Sequence, residues 1–152
     1  MTLTIRRMKN DDLNIVTEIE KVVWPDDPWT HEDFIDSNNP WCYCWVLEEK
    51  NELIGYSMQY FDSDMTSHIA NICIKPERQR QGLGKIMLNH LIYIARLLKA
   101  ISISLEVNAT NSKALHLYKA FGFEIIDFLK DYYPTGDAYK MKLHLLTNRC
   151  DV

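Results

Sequence analysis

A mixed α/β domain is the fold class that this chain predicts, and three observations predict it. Apolar residues recur at helical spacing in some stretches; in others they alternate or run together between turn signals. The two kinds are interleaved along the 152 residues as strand, two helices, three strands, helix, strand, helix, two strands. A glycine-bearing segment, Gln79-Arg80-Gln81-Gly82-Leu83-Gly84, follows an apolar strand and opens the longest helix, as a strand–helix–strand crossover requires.

Residues 3–8 read as the first strand. A helix follows near Asn10 or Asp11, with Leu13, Val16, Ile19, Glu20 and Val23 at helical spacing and an Asn/Asp cluster to cap it. Pro25 and Pro28 then break the chain. Thr30 can cap a short helix through Phe34, ending near the turn signal at Ser37, Asn38, Asn39 and Pro40. Residues 41–49 and 53–61 read as a hairpin around Lys50, Asn51 and Glu52. Residues 68–74 form another apolar segment, which ends at Lys75 and Pro76. Beyond the glycines, Leu83, Ile86, Met87, Leu91, Ile94, Ala95 and Leu98 make a long apolar stripe. Residues 101–107 are a strand. Asn111 or Thr110 caps a helix with Ala114, Leu117, Tyr118 and Phe121 as its expected buried face, stopped by Gly122. Residues 123–128 and 138–145 close the chain as two strands around a loop, Lys130-Asp131-Tyr132-Tyr133-Pro134-Thr135-Gly136.

A chain of this length fits one domain, residues 1–152. The net charge of −4 argues against broad nucleic-acid binding, which usually needs a basic excess. Cys42, Cys44, Cys73 and Cys150 match no zinc spacing and read as reduced thiols. The N-terminus has no apolar stretch of the signal-peptide kind, and no apolar run is long enough to span a bilayer. The histidines, at 31, 68, 90, 116 and 144, are scattered over different elements without ligand spacing, so no metal is expected. A cytoplasmic monomer without a membrane or nucleic-acid partner is the expectation.

Gly82 and Gly84 let main-chain N–H groups approach an anion at the positive end of the following helix. Two glycines alone are equally well read as a plain helix start. A dinucleotide fingerprint would need glycine where Met87 stands; a nucleotide P-loop would need Ser or Thr at Ile86 and glycine at Gln79. Lys75, Arg78, Arg80 and Lys85 around the glycines suit phosphates, or a solvated turn.

The segment Gln79-Arg80-Gln81-Gly82-Leu83-Gly84 resembles the acetyl-coenzyme A pyrophosphate loop of the GNAT N-acetyltransferases. Leu105-Glu106-Val107, Asn111, Ala114, Leu117-Tyr118 and Phe121-Gly122-Phe123 are similar to that family's second half in order and spacing. Tyr132-Tyr133-Pro134-Thr135, then Asp137-Ala138 through Met141, continue the likeness, and Pro28-Trp29-Thr30 with Phe34 adds to it near the start. Over nearly the whole chain these resemble the bacterial ribosomal-protein-alanine N-acetyltransferases, the RimI type. Archaeal and eukaryotic N-terminal acetyltransferases share the Tyr-Tyr and Asp-Ala-Tyr elements.

The resemblance implies the GNAT fold: a mixed central sheet of about seven strands flanked by about four helices, with the acetyl-CoA loop between a central strand and the long third helix. It implies that Ile72, Cys73 and Ile74 offer backbone groups to the acetyl-pantetheine arm. Arg80, Gln81, Gly82, Leu83, Gly84 and Lys85 would bind the pyrophosphate, and Asn111 would contact the cofactor. Glu106 matches the proton acceptor and Tyr118 the proton donor. Pro28, Trp29, Tyr132 and Tyr133 match segments flanking the substrate peptide. The partner implied is a protein with a free N-terminus, a ribosomal protein starting with alanine. A lysine side chain or a small amine is the alternative acceptor, and a non-catalytic acyl-CoA sensor is the alternative of another class. The chain departs from the pattern at Asn108, where many relatives have arginine, and at Gly136, where an acidic residue is usual.

The chemistry calls for those residue types. An α-amine has a pKa of roughly 7.7–8.0, so a carboxylate that takes its proton during attack helps at neutral pH. A leaving thiolate is helped by a donor such as a tyrosine hydroxyl. Glu106 is otherwise a surface carboxylate, and Tyr118 a core aromatic. Negative charge on the thioester oxygen needs a donor too, expected from a main-chain N–H near Cys73 or Ile74. Cys73 could in principle act as a nucleophile. The expected reading is a small buried residue, with direct transfer in a ternary complex and no acyl-enzyme. Trp24, Trp29, Tyr132 and Tyr133 flank polar loops and are open to reading as pocket rim or as core.

Overall fold

The computed structural model describes residues 2–36 and 40–145. The turn expected at 37–39 and the thiol of Cys150 lie outside the described residues. The strands are β1 (Leu3–Arg7), β2 (Cys42–Glu49), β3 (Glu52–Phe61), β4 (Thr66–Ile74), β5 (Ser102–Asn108), β6 (Glu124–Tyr133) and β7 (Gly136–His144). The α-helices are α1 (Leu13–Val23), α2 (His31–Asp36), α3 (Leu83–Leu97) and α4 (Ser112–Ala120). Seven strands form one mixed sheet in the order β1-β2-β3-β4-β5-β7-β6. β1 and β2, β2 and β3, β5 and β7, and β6 and β7 pair antiparallel; β4 and β5 pair parallel, as the crossover through α3 demands. The chain divides into two compact units, residues 1–60 with 70–91 and residues 61–69 with 92–152, so β4 and α3 each contribute to both.

In the first unit, the carboxylate of Asp12 accepts the Lys9 N–H at 2.7 Å and holds the turn that leads into α1. Leu13, Val16, Ile19 and Glu20 of α1 are buried, as their spacing predicts. Leu13, Val16 and Ile19 join Phe34, Cys42, Cys44, Val46, Tyr56, Met58 and Cys73 in the apolar core, against which Trp29 is packed. Thr30 and Asp33 exchange backbone-to-side-chain hydrogen bonds of 3.2 and 2.8 Å, a capping box at the start of α2. The β2–β3 turn is tighter than the expected one. Lys50 and Asn51 both take left-handed φ, +52° and +67°, and Glu52 joins the strand. A two-residue turn of this kind matches the twist of paired strands.

In the second unit, α4 ends in a Schellman stop. Gly122 has φ +98°, the Phe123 N–H reaches the Tyr118 carbonyl at 3.0 Å, and the Gly122 N–H reaches Lys119 at 3.0 Å. Three expectations need correction. No residue of α4 is fully buried; Ala114, Leu117 and Tyr118 are half-buried, so this helix covers its neighbours with a thin face. Ile86 and Leu98 of the expected α3 stripe are exposed, and Leu88 and Ile92 are buried instead, because the covered face is rotated from the one assumed. The segment read as a loop from Lys130 is strand: β6 runs through Tyr133, and only Pro134 and Thr135 separate it from β7. A register shift between Leu129 and Tyr133, with Asp131 at φ +52° and its N–H bound to Asp137 Oδ1 at 2.7 Å, lets the strand bend instead of ending.

Candidate active site

β4 delivers the chain to the glycine loop. Ile72 is half-buried, and Cys73 and Ile74 are buried. Gly55 on β3 explains how closely β4 approaches there: an added Cβ would lie 2.7 Å from Ile74 Cδ1 and 2.8 Å from the Cys73 oxygen. Gln79 donates to the Ile74 carbonyl at 3.0 Å and ties the loop to the strand end. Arg80 takes φ +64°, which costs a non-glycine residue about 1–2 kcal/mol, and Gly82 takes φ +78°. Gly84 lies within α3 without a positive φ, so conformation does not call for glycine there. The first N–H groups of α3 have no partner within the helix. Lys75 and Arg78 are paired with Glu52 at 3.5 Å and Glu49 at 2.7 Å, while Arg80, Gln81 and Lys85 are exposed. Of the four cations expected at the loop, two are thus committed to the β2–β3 hairpin.

Cys73 is not built for nucleophilic work. Burial first, and the nearby Glu20 carboxylate, push its thiol up to about 12 against the opposing Tyr56 hydrogen bond. A thiol so poorly ionised at neutral pH is a packing residue. Cys42, Cys44 and Cys73 are free and buried.

The second unit holds a chain of polar groups around Glu106 and Tyr132, in which sequence reading missed His68, Ser104 and Lys140. The parallel register sets His68 of β4 beside Ser104 of β5. His68 Nδ1 is 2.9 Å from Ser104 Oγ, and His68 Nε2 is 3.0 Å from Glu106 Oε1. The Tyr132 hydroxyl makes a longer contact, 3.4 Å, with the same Glu106 oxygen. Lys140 is the cross-strand neighbour of Glu106 on β7. Burial pushes the Glu106 carboxyl up; His68, Lys140 and the Tyr132 hydroxyl outweigh it and hold the group below the ordinary carboxylate value. Glu106 is therefore ionised at neutral pH, and its side chain keeps 14% exposure, enough for a small group to reach it.

Tyr118 of α4 packs edge-on against Phe123, ring centres 5.7 Å apart. Burial pushes its hydroxyl up to about 12, so it keeps its proton throughout the neutral range. Tyr133 is also shifted up, by burial first and then by Tyr132, Glu106 and Tyr118. Tyr132 and Tyr133 meet ring to ring at 4.8 Å and 86°. Asn111 is the N-cap of α4, its Oδ1 accepting the Ala114 N–H at 3.2 Å. Asn108 holds the turn after β5 through Thr110 and reaches Thr135 at 3.2 Å. In the first unit Pro28 is half-exposed, and Trp29 packs on Phe34 with ring centres 5.5 Å apart. Among the described residues no three His, Cys, Asp or Glu side chains converge as metal ligands, and no helix is long and apolar enough to cross a membrane.

Residues 12–123 match the acetyltransferase (GNAT) family. The chain belongs to the GNAT acetyltransferase family. Within that family it is 29% identical over 135 residues to the ribosomal protein bS18-alanine N-acetyltransferase of Escherichia coli K12, with 89% of this chain and 90% of that one covered. A Bacillus subtilis protein provisionally assigned the same activity is 34% identical over 131 residues, 85% of each chain. The crystal structure of the E. coli enzyme superposes with a TM-score of 0.88 at 27% identity, covering 97% of this chain and 98% of that one. The fold and the reaction class, N-acetyl transfer from acetyl-CoA, follow from GNAT membership.

Proposed function

We propose that this GNAT acetyltransferase modifies the α-amine of a protein N-terminus, and that its acceptor is the N-terminal alanine of the small-subunit ribosomal protein bS18. The acceptor follows the activity named for the E. coli and B. subtilis proteins. The observation that carries the chemistry is Glu106, a half-buried carboxylate kept ionised by His68, Lys140 and Tyr132.

Acetyl-CoA supplies an activated thioester. The main chain of Ile72, Cys73 and Ile74 would hold its pantetheine arm, and a main-chain N–H at Cys73 or Ile74 would stabilise negative charge on the thioester oxygen. Arg80, Gln81, Gly82, Leu83, Gly84 and Lys85 would take its diphosphate, on the bare N-terminus of α3 and two exposed cations. The amide nitrogen of Asn111, whose oxygen is used for capping, is the group this residue offers the cofactor.

Glu106 accepts the proton of the attacking amine at Oε1 or Oε2. Its lowered pKa makes it a weak base, yet it is charged at every pH at which free amine is present. His68 orients it, with Nε2–H donating to Oε1. Tyr118 donates to the departing sulfur. Each unit of pKa mismatch between donor and acceptor costs about 1.4 kcal/mol, and the dry setting that raises the phenol raises a thiol as well. Pro28, Trp29, Tyr132 and Tyr133 flank the acceptor peptide. The chain acts as a cytoplasmic monomer of one functional domain, without a metal.

Incubation with acetyl-CoA and a short peptide starting with alanine and carrying an internal lysine, read by mass spectrometry, tests the reading. Acetyl on the α-amine is expected. Acetyl on the lysine would move the acceptor to side chains, and cofactor binding without transfer would leave a small-amine acceptor or a sensor.

A further inference from the structure

Glu20 is a buried carboxylate that the proposed chemistry leaves unused. It lies on the covered face of α1 with 2% exposure and receives three hydrogen bonds. Oε1 accepts from the Tyr56 hydroxyl on β3 and, at 3.1 Å, from Asn71 Nδ2 on β4; Oε2 accepts the main-chain N–H of Trp29 at 3.0 Å. All three donors are neutral. Withdrawing a carboxylate from water is costly, and an apolar side chain of similar volume commonly serves a core as well or better. Packing alone therefore gives no reason for glutamate here.

The three bonds do share a geometric consequence. Trp29 belongs to the segment given to the acceptor peptide. Asn71 directly precedes Ile72, Cys73 and Ile74, the strand given to the thioester arm. Among the described residues Asn71 Oδ1 is buried without a hydrogen-bond partner, so the Glu20 contact is what fixes the direction of that amide. Tyr56 adjoins Gly55, where β3 and β4 come closest.

We infer that Glu20 is a positioning residue for the acceptor, clamping the main chain of Trp29 against β4 so that the first residue of the peptide is held at a set distance from the strand that carries the thioester. The inference rests on the acceptor-side reading of Pro28 and Trp29 given above.

Glu20→Gln keeps the size but removes the charge and replaces one acceptor oxygen with a donor, so serving the Trp29 N–H obliges the Tyr56 hydroxyl and the Asn71 amide to turn and accept. Glu20→Met keeps the packing, removes the clamp and guards against a variant that fails to fold. Tyr56→Phe disturbs the same core but spares the Trp29 bond. Peptide and acetyl-CoA are varied separately in steady-state assays, and hydrogen exchange is followed at the Trp29 amide without substrate. The expected result is a rise in peptide KM of about tenfold for Glu20→Gln and Glu20→Met, the scale of one lost hydrogen bond to a charge. Acetyl-CoA KM stays within about twofold of the wild type, and exchange at Trp29 accelerates. Tyr56→Phe shifts stability but leaves peptide KM within about twofold. Equal peptide KM changes in Tyr56→Phe and the Glu20 variants, or a matching rise in acetyl-CoA KM, would reduce Glu20 to core support. If the wild type turned over no peptide, the acceptor reading would fall, whereas unchanged exchange at Trp29 in Glu20→Met would overturn the clamp itself.

Discussion

Glu106 shows how much a single carboxylate depends on what surrounds it. Burial alone would raise its pKa; His68, Lys140 and Tyr132 reverse the sign. With Glu106 ionised well below neutrality, kcat/KM of the wild type should rise with pH along the free-amine fraction, near a pKa of roughly 7.7–8.0. His68→Ala removes a lowering influence and leaves the burial, so the Glu106 pKa goes up, which carboxyl NMR titration reads directly, while the amine-governed limb of the pH–rate profile stays in place. Superimposable Glu106 titration curves for the two proteins would count against His68 as the orienting group. Glu106→Gln should cost at least about a hundredfold in kcat/KM, with acetyl-CoA affinity by calorimetry unchanged. For Tyr118→Phe, the ring contact with Phe123 remains, so the circular dichroism spectrum should match the wild type while most turnover is lost. Cys73→Ala, in contrast, should remain active, because a thiol at about 12 has no nucleophilic part to lose.

At the scale of elements, close approach and turn geometry decide the site. Gly55→Ala would force a Cβ against the Cys73 oxygen and Ile74 at under 3 Å, and backbone cannot give way as a side-chain tip can. The expected outcome is a loss of about 1–3 kcal/mol in urea unfolding, together with weaker acetyl-CoA binding, since the displaced strand is the one that carries Ile72, Cys73 and Ile74. Unchanged acetyl-CoA affinity in a destabilised Gly55→Ala protein would separate that strand from cofactor binding. The β6–β7 hairpin shows a different constraint. Polar residues and a proline around Tyr132 and Tyr133 read as a loop, yet the bend at Asp131 keeps both tyrosines on the strand, so their rings are presented by a paired backbone.

For the molecule as a whole, two depressed carboxylates tie stability to pH. The hydrogen bond from Arg6, at 2.9 Å to each Asp12 oxygen, is the main reason Asp12 lies below its ordinary value, with burial opposing it; Glu48 shares the same guanidinium. A carboxyl whose folded pKa is below its unfolded value stabilises the fold above that unfolded value, about 3.9 for Asp and 4.3 for Glu, and the contribution is lost as pH falls through the folded value. Asp12 and Glu106 both act in this direction. His90, whose burial holds its pKa below the ordinary histidine value, acts in the same direction from about pH 6.5 downward. Urea unfolding should therefore give stability that begins to fall below about pH 6.5 and falls more steeply below about pH 5. Asp12→Asn should remove about 1–3 kcal/mol at pH 7, discounted for a partly exposed Arg6, and its curve should converge with the wild type in acid. A gap of constant size across that range would show that Asp12 acts through the geometry of the turn before α1 and not through its charge.

Much of this protein was legible in the sequence, for local reasons. Helical spacing from Leu13 to Glu20, the Thr30 cap, the Asn111 cap, the Gly122 stop and the Gly82 loop each depend on a few neighbouring residues, so the order of elements followed, and with it the resemblance to the GNAT enzymes. Spacing even set Glu20 on the covered face of α1. Only the tertiary structure decided what lies beside what. His68 read as one of five scattered histidines because the register between two parallel strands, which brings it to Ser104 and Glu106, leaves no local mark. The three donors on Glu20 come from three separate segments, and the diversion of Lys75 and Arg78 to Glu52 and Glu49 depends on a hairpin distant in sequence. Backbone conformation is set largely within a turn or two of chain, whereas the charge and orientation of a catalytic group are set by neighbours that only folding brings together.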